Sequence, residues 1–483
     1  MLRIVRTPEL RLFSLVEDDQ VSGIHPEVLR FVSEVCTFYK RDYNVFSNKV
    51  KLKKSTLAYF PPERNNAVLI PNGFLVKLIE HLQSAGIAFD IQDSYPKLHT
   101  DLAAAKSKFS FRAHQEECLE AVLASVNSLA GGGLVVAPPA FGKTYLIASI
   151  CAAFPDAKIH VISRRRDIVI STFDFLQRHL ASVGIVTSGK YLKDRRIIVF
   201  TIDSLFGEEL DADLVILDEI HELVTDRYFE LLAAYGCPKI GLTATPDTRF
   251  DNLHKRIAAL VGDPIYVVDF DEAVKSGLVV PIVVQWCDVL IAPGEIRYDG
   301  MRDRSQAVWS NEKRNQRIAE VAKEFFNLGQ QTLILVTTIE HAYGIHKYLP
   351  EFDLCYAGTS SEGYSANYPP MTNKRRDELR RAFTAGELKG VIATGVWSTG
   401  VSFTELQVLI RADAQSSATY SVQAPGRVCR ISSKVDKPAG LVIDFTDKFS
   451  DKLFRAAKSR SKIYRNQGWI QLDPAGKVIT CLR

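Results

Sequence analysis

From about residue 110, short runs of β-branched and aliphatic residues alternate with longer amphipathic stretches. "GLVVAP", "KIHVIS", "RRIIVFT", "DLVILDE" and "KIGLTAT" form a first set. "QTLILVTT", "FDLCYAG", "KGVIATG", "QVLIRAD" and "GLVIDFT" form a second set after about residue 285. Strand-length apolar runs separated by helical patterns predict parallel sheets with covering helices. Ahead of both lies a different pattern. "FSNKVKLKKSTLAYF" places Lys49, Lys51 and Lys53 at a period of two, which predicts a strand with three lysines on one face. "AVLIPNGFLVKLIEHLQSAGI" follows, a Pro-Asn-Gly turn leading into an amphipathic helix. The C-terminal "DKFSDKLFRAAKSRSKIYRNQGWIQLDPAGKVITCLR" reads as a basic helix and a short hairpin around "DPAG". The expected fold class is therefore α/β. Two tandem parallel-sheet domains, 105–280 and 281–447, follow a small α+β domain at 1–104 and precede a helix and hairpin at 448–483.

In parallel sheets, ligands bind at the carboxyl ends of the strands, and the polar clusters of the first set sit there. "LVVAPPAFGKT" runs from a strand into Gly142, Lys143 and Thr144. Backbone N–H groups of Pro139 to Gly142 (Pro139 itself excepted, through Ala140 and Phe141) and the helix N-terminus can cradle phosphates. Lys143 supplies a point charge and the Thr144 hydroxyl a magnesium ligand. Ala137 stands where such loops often carry glycine, and Pro138 and Pro139 can set the bend instead. An ordinary strand–turn–helix corner gives the same local pattern, so the loop needs partners. It has them. Asp218 ends "LVIL" and can hold Mg²⁺, and Glu219 beside it can orient and deprotonate a water. The second set lacks both features but carries "QAPGRVCR", where Arg427 and Arg430, three apart, share one face if the segment is helical. They suit either a solvated surface or arginine fingers acting on the γ-phosphate.

Bulk composition narrows the setting. The chain has 483 residues, 46% of them hydrophobic, and a net charge of only +4, so any nucleic-acid surface has to come from local clustering. Its eight cysteines form no CxxC pair, which argues against zinc and against a disulfide framework. No apolar run reaches membrane-span length and the N-terminus lacks a signal-peptide core. A cytoplasmic protein without a membrane is expected.

Taken together, the motifs resemble helicase superfamily 2, whose core is two RecA-like domains, over roughly residues 105–447. "FRAHQEECL" resembles the adenine-reading motif and implicates Arg112 and Gln115. "APPAFGKT" is similar to motif I, "DEIH" to a DEAH-type motif II, "TAT" to motif III, "ATGVWSTGVS" to motif V and "QAPGRVCR" to motif VI. The resemblance implies ATP and Mg²⁺ as cofactors, Gln423, Arg427 and Arg430 among the catalytic groups, Gly400 at the nucleotide, and His221, Thr243 and Thr245 in coupling. It also implies strand-backbone contacts from Ser163, Arg164 and Arg165 in "VISRRRDIV", Thr201 and Ser204 in "VFTIDSL", and Thr394 in motif V. Hydroxyls and arginines position a strand without reading its bases. Motif V reads Gly400-Val401-Ser402 where Gly-Ile-Asp is common, which puts a carboxylate contact to the ribose in doubt.

The element order and the "GVWSTG" and "QxxGRxxR" segments resemble phage branch-migration helicases of the UvsW type. That resemblance implies a phage-encoded, ATP-dependent DNA helicase of the host cytoplasm, a monomer acting on single-stranded and branched duplex DNA in recombination, repair or replication. Lys49, Lys51 and Lys53 would then lie against duplex phosphates; the other reading is protection of an edge strand. Two further classes stay open, a double-stranded DNA translocase without strand separation and an RNA helicase.

Overall fold

The structure is a computed structural model. It describes residues 1–7, 13–19, 22–44, 49–112, 114–244, 255–292, 296, 304–357, 368–397, 403–432 and 434–482, the side chains of 13, 40–44 and 49–51 excepted. The chain forms two compact units, one of Met1–Ala137 and Gly142–Asp269, the other of Pro138–Phe141 and Phe270–Arg483.

The first unit begins with six strands: β1 (Leu2–Arg6), β2 (Phe13–Asp18), β3 (Thr37–Asn44), β4 (Lys49–Thr56), β5 (Ala67–Pro71) and β6 (Phe89–Asp93). Four make a sheet in the order β5-β2-β1-β6. Strand β1 alternates Leu2, Ile4 and Arg6 inward. Arg6 is fully buried because Asp93 takes its guanidinium at 2.6 Å and the Leu129 carbonyl accepts a further N–H at 2.7 Å. Strands β3 and β4 stand apart as a two-stranded antiparallel ribbon, with Lys49, Lys51 and Lys53 at backbone positions opposite Asn44, Asp42 and Lys40.

Eight further strands follow: β7 (Gly132–Val136), β8 (Ile159–Ser163), β9 (Val183–Thr187), β10 (Lys190–Leu192), β11 (Ile197–Thr201), β12 (Leu214–Asp218), β13 (Lys239–Thr243) and β14 (Pro264–Val267). They form one sheet, β10-β9-β11-β8-β12-β13-β7-β14, parallel except where β10 turns back on β9. Most are apolar on both faces because helices cover both sides. The sequence pattern identifies β7, β8, β11, β12 and β13; β9, β10 and β14 are additions from the structure. The chain leaves β7 and enters β8 across two intervening strands, β13 and β12, and this reversal opens the crevice in which such sheets bind ligands.

The N-terminal sheet is joined to this one by a continuous core. Leu2, Val16, Phe31 and Leu78 belong to the same buried cluster as Leu134, Phe200, Leu217 and Tyr235. The closest approach is at Gly73, where a Cβ would fall on the Ala258 carbonyl oxygen and lie 2.7 Å from Ala259 O and Gly262 N.

The second unit holds β15 (Ile282–Cys287), β16 (Thr332–Leu335), β17 (Asp353–Cys355), β18 (Gly390–Ala393), β19 (Val408–Arg411), β20 (Gly440–Phe445), β21 (Ile470–Leu472) and β22 (Val478–Ile479). Its order is β17-β18-β16-β19-β20-β15-β21-β22, parallel up to the final antiparallel pair. All five runs of the second apolar set lie in it. The C-terminal hairpin, β21 and β22, extends this sheet through β15. The basic helix Asp451–Asn466 packs Leu453, Ala457 and Tyr464 inward. Arg460 does not join its solvated face. It is buried against Asp444 at 2.8 Å, and Asp444 also accepts from the Tyr464 hydroxyl at 2.7 Å. Among the described residues, no helix is long and apolar enough to cross a membrane.

Gly73→Ala is expected to cost about 1–3 kcal/mol by overpacking, because all three neighbours are backbone and none can rotate away. Thermal unfolding followed by circular dichroism checks this; an unchanged midpoint would show that the N-terminal sheet sits more loosely on the first unit.

Candidate active site and nucleic-acid interface

Between β7 and the helix Lys143–Ala153 the backbone makes two left-handed excursions, at Ala140 (φ 68°) and at Gly142 (φ 96°), the residue that caps the helix. Alanine pays no attention to sequence convention here: it takes a conformation that glycine adopts without strain. Gly142 has a second reason to lack a side chain. A Cβ there would sit 2.6 Å from the Gln115 amide nitrogen. Gln115 is itself buried, and its carbonyl oxygen accepts the Arg112 backbone N–H at 3.0 Å. The adenine-motif candidate and the phosphate-loop candidate are thus in contact, while the Arg112 side chain is exposed.

Strand β12 delivers Asp218 at its carboxyl end, and Glu219 then turns the chain with φ 50°, ψ 51°. Lys143 Nζ lies 2.7 Å from Glu219 Oε1. Burial opposes charge on both acids. At Asp218 burial dominates, the Glu219 carboxylate adds to it, and the carboxyl is pushed up to about 7. At Glu219 burial is outweighed by Lys143, His221 and Arg165, which hold it below the usual range. Asp218 Oδ1 and Glu219 Oε2 are buried without a hydrogen-bond partner. The orphaned Asp218 oxygen and the Thr144 hydroxyl of the loop are both hard oxygen donors, the chemistry that Mg²⁺ prefers.

Two contacts pin this acidic turn. His221 Nδ1, in the 3₁₀ turn Ile220–Glu222 after β12, and Thr243 Oγ1, at the end of the neighbouring β13, share a hydrogen bond of 3.0 Å, and both residues are buried. Arg165 closes on Glu222, with Nη2 donating at 2.7 Å and Nε at 3.1 Å. Arg165, expected at a strand backbone, pairs with the acidic turn while its side chain stays 41% exposed. No sequence motif points to Glu222; its one signal is its place directly after "DEIH", since the 57-residue separation from Arg165 gives no hint.

The remaining candidates of the first unit lie along β8 and β11. Ser163 ends β8 with its hydroxyl buried and unpartnered, and Arg164 follows, exposed. Thr201 ends β11, where its hydroxyl donates to Thr187 Oγ1 at 2.6 Å and lies 3.3 Å from Ser204 Oγ. Thr187 is a further residue the motifs did not identify.

In the second unit, Thr394 follows β18 and is buried, its N–H donating to the Cys355 carbonyl at 3.0 Å. Trp397, Phe383 and Phe403 pack against one another around the turn after it, tilted or edge to face. Gln423 ends the helix Ala418–Gln423. The expected common helical face for Arg427 and Arg430 does not form. Arg427 ends a 3₁₀ turn, Pro425–Arg427, and Arg430 lies beyond it in irregular backbone. Pro425 has no N–H to give and crowds the preceding turn, so the α-helix stops. Arg427 is buried and Arg430 half-buried. Thr245 and Gly400 lie outside the described residues.

Residues 108–248 match the family model described as type III restriction enzyme, res subunit, and residues 316–432 match the helicase conserved C-terminal domain. The chain is 25% identical over 370 residues to the DNA 3'-5' translocase XPB2 of Sulfurisphaera tokodaii, covering 70% of this chain and 82% of the relative. It is 24% identical over 403 residues to Probable helicase D10 of Escherichia phage T5, covering 81% and 82%. The crystal structure of T4 UvsW superposes over 98% of both chains at 15% identity, with a TM-score of 0.43. With a phosphate loop and an acidic turn under the first family model and a helicase C-terminal model over the second parallel sheet, the chain belongs to the ATP-dependent helicases of superfamily 2.

Proposed function

We propose that this enzyme couples ATP hydrolysis to the remodelling of branched DNA, unwinding or migrating forks and four-way junctions. The observation that carries the ATPase chemistry is the Lys143–Glu219 ion pair beside Asp218 at the crevice end of the first sheet. Lys143 is held where it can exchange Glu219 for the β- and γ-phosphates. Glu219, kept ionised by its cationic neighbours, then accepts the proton of the attacking water. Asp218 and Thr144 would hold Mg²⁺, which when bound neutralises charge on the phosphates. Arg112 and Gln115 would read the adenine, and Pro139 to Gly142, with Gly400, would line the nucleotide. Gln423, Arg427 and Arg430 would act on the transferring phosphoryl group. His221 and Thr243, with Thr245, would report its state to the strand-binding loops.

DNA as the substrate is supported by the relatives named as a DNA translocase and a phage helicase. Ser163, Arg164, Thr201, Ser204 and Thr394 suit a tracked strand, and the β3–β4 ribbon, with Lys53 and Lys54 exposed on it, suits a duplex arm. A second reading, translocation along duplex DNA without strand separation, is favoured by the XPB2 likeness. Unwinding assays on forks, four-way junctions, tailed duplexes and RNA duplexes separate these readings. Loss of labelled strand only from junctions and forks supports remodelling; triplex displacement without unwinding supports the translocase.

Substitutions at three places test the assignments. Glu219→Gln is expected to bind ATP and stop hydrolysing it, whereas Lys143→Ala loses nucleotide-dependent activity altogether; steady-state turnover and nucleotide titration distinguish them. Near wild-type turnover by Glu219→Gln would remove it as the base. Arg427→Ala or Arg430→Ala should lower turnover at saturating DNA by about 10³-fold with little change in nucleotide affinity if either stabilises transition-state charge. A change confined to DNA affinity would assign them to surface charge instead. Replacing Lys49, Lys51 and Lys53 together with alanine should reduce the salt slope of duplex binding by up to about 2.7, at roughly 0.9 per phosphate contact. Fork and junction unwinding should fall more than tailed-duplex unwinding. Equal losses on all substrates would leave the ribbon as edge protection.

A further inference from the structure

We propose that Phe206, backed by Arg227, is a stacking platform for an unpaired nucleobase of the tracked strand. The inference rests on the single-strand reading above and adds a base contact to a set of residues suited only to the sugar-phosphate backbone.

A 3₁₀ turn, Ile202–Leu205, follows β11 and carries Ser204. Ile202 and Leu205 are fully buried, so the turn is anchored from below. The next residue, Phe206, is delivered outward with 42% of its surface exposed. A lone exposed phenylalanine is ordinary on a protein surface. Phe206 differs because its ring is already held from one side. The Arg227 guanidinium lies over it, 4.3 Å from the centroid, and Arg227 is steadied by Asp203 at 3.8 Å. Asp203 also accepts from the Tyr228 hydroxyl at 2.8 Å, and Arg164 lies over the Tyr228 ring at 4.9 Å. Arg164, Tyr228, Asp203, Arg227 and Phe206 thus make one connected set. It runs from the strand-contact candidate after β8 to the exposed ring after β11.

The chemistry of the patch selects a base over a phosphate. Its carboxylates, Asp203 and Glu208, would repel an anion, and its cations already have acidic or aromatic partners. What is presented outward is π-surface. Tyr191 adds to it: 62% exposed on β10, it donates to Glu208, two residues beyond Phe206, at 3.2 Å. Every nucleobase offers a flat face to such a ring, so the contact is sequence-tolerant and salt-insensitive compared with phosphate binding.

The test uses the full chain and a short oligodeoxythymidylate in which single positions are replaced in turn by an abasic site or by 2-aminopurine. For the wild type, one register should stand out: an abasic site there weakens binding by about 5- to 100-fold, and 2-aminopurine there is quenched on binding. Phe206→Ala should bind the unmodified strand more weakly by a similar factor and lose the positional preference. Phe206→Trp should keep that preference, with its indole emission quenched by the strand, which separates loss of the platform from loss of the fold. The proposal is overturned if the wild type binds the strand with no position-dependent abasic cost, or if Phe206→Ala retains the preference. A wild type that binds no single strand overturns the tracked-strand reading as well.

Discussion

The contact between Lys143 and Glu219 constrains everything around it. Each side chain is mostly shielded, 15% and 17% exposed, and a charge shielded from water is costly without its partner. The pair therefore fixes the start of one helix against the end of one strand, and the sheet order has to allow this. It does so because β7 and β12 are separated by β13 alone.

From that pair, two lines of contact leave the acidic turn in different directions. One runs through His221 to Thr243 on β13, the other through Glu222 to Arg165 after β8. Arg164, the residue before Arg165, lies over the Tyr228 ring, so the turn that carries Glu219 is tied through Glu222 to the segment after β8 and its aromatic neighbours. A shift of Glu219 when Lys143 changes partner would be felt at both. Such coupling requires only that packed polar contacts have two discrete arrangements, and no contact here is long enough to absorb the motion by bending.

Much of this was legible beforehand, for identifiable reasons. Strands β7, β8, β11, β12 and β13 are buried on both faces and so announce themselves as continuous apolar runs; the residues at their carboxyl ends then define the site. Strand β10 is three exposed residues at a sheet edge, where no apolar run is needed, and it leaves no such mark. The pairing of Arg165 with Glu222 and of Arg460 with Asp444 was illegible for another reason. An arginine in sequence reads as surface charge, and only the fold shows which acid it meets. The helical face that the three-residue spacing of Arg427 and Arg430 predicts is interrupted by a local signal, Pro425. The continuous core beneath the N-terminal sheet was also hidden, because Gly73 marks a close approach only once its neighbour Ala258 is known.

The site also carries strain at two positions that the sequence could not reveal. Ala140 and Glu219 both adopt left-handed backbone, at φ 68° and φ 50°, in a protein with glycines to spare for such places. Each non-glycine residue in that region costs on the order of 1–3 kcal/mol and persists only where surrounding structure over-determines it. For Glu219 the restraint is visible: Lys143 holds its carboxylate, and the turn after it is fixed by His221 and Glu222. Glycine would relieve the strain at that position but would remove the acid. The left-handed turn is what brings the carboxylate off the strand axis and toward Lys143, whereas Asp218, one residue earlier, stays in extended backbone at the strand end. Two adjacent acids can then face different tasks, one pushed toward its neutral form by burial and one kept charged by a cation. The backbone strain is the structural means by which consecutive carboxylates acquire different electrostatic surroundings.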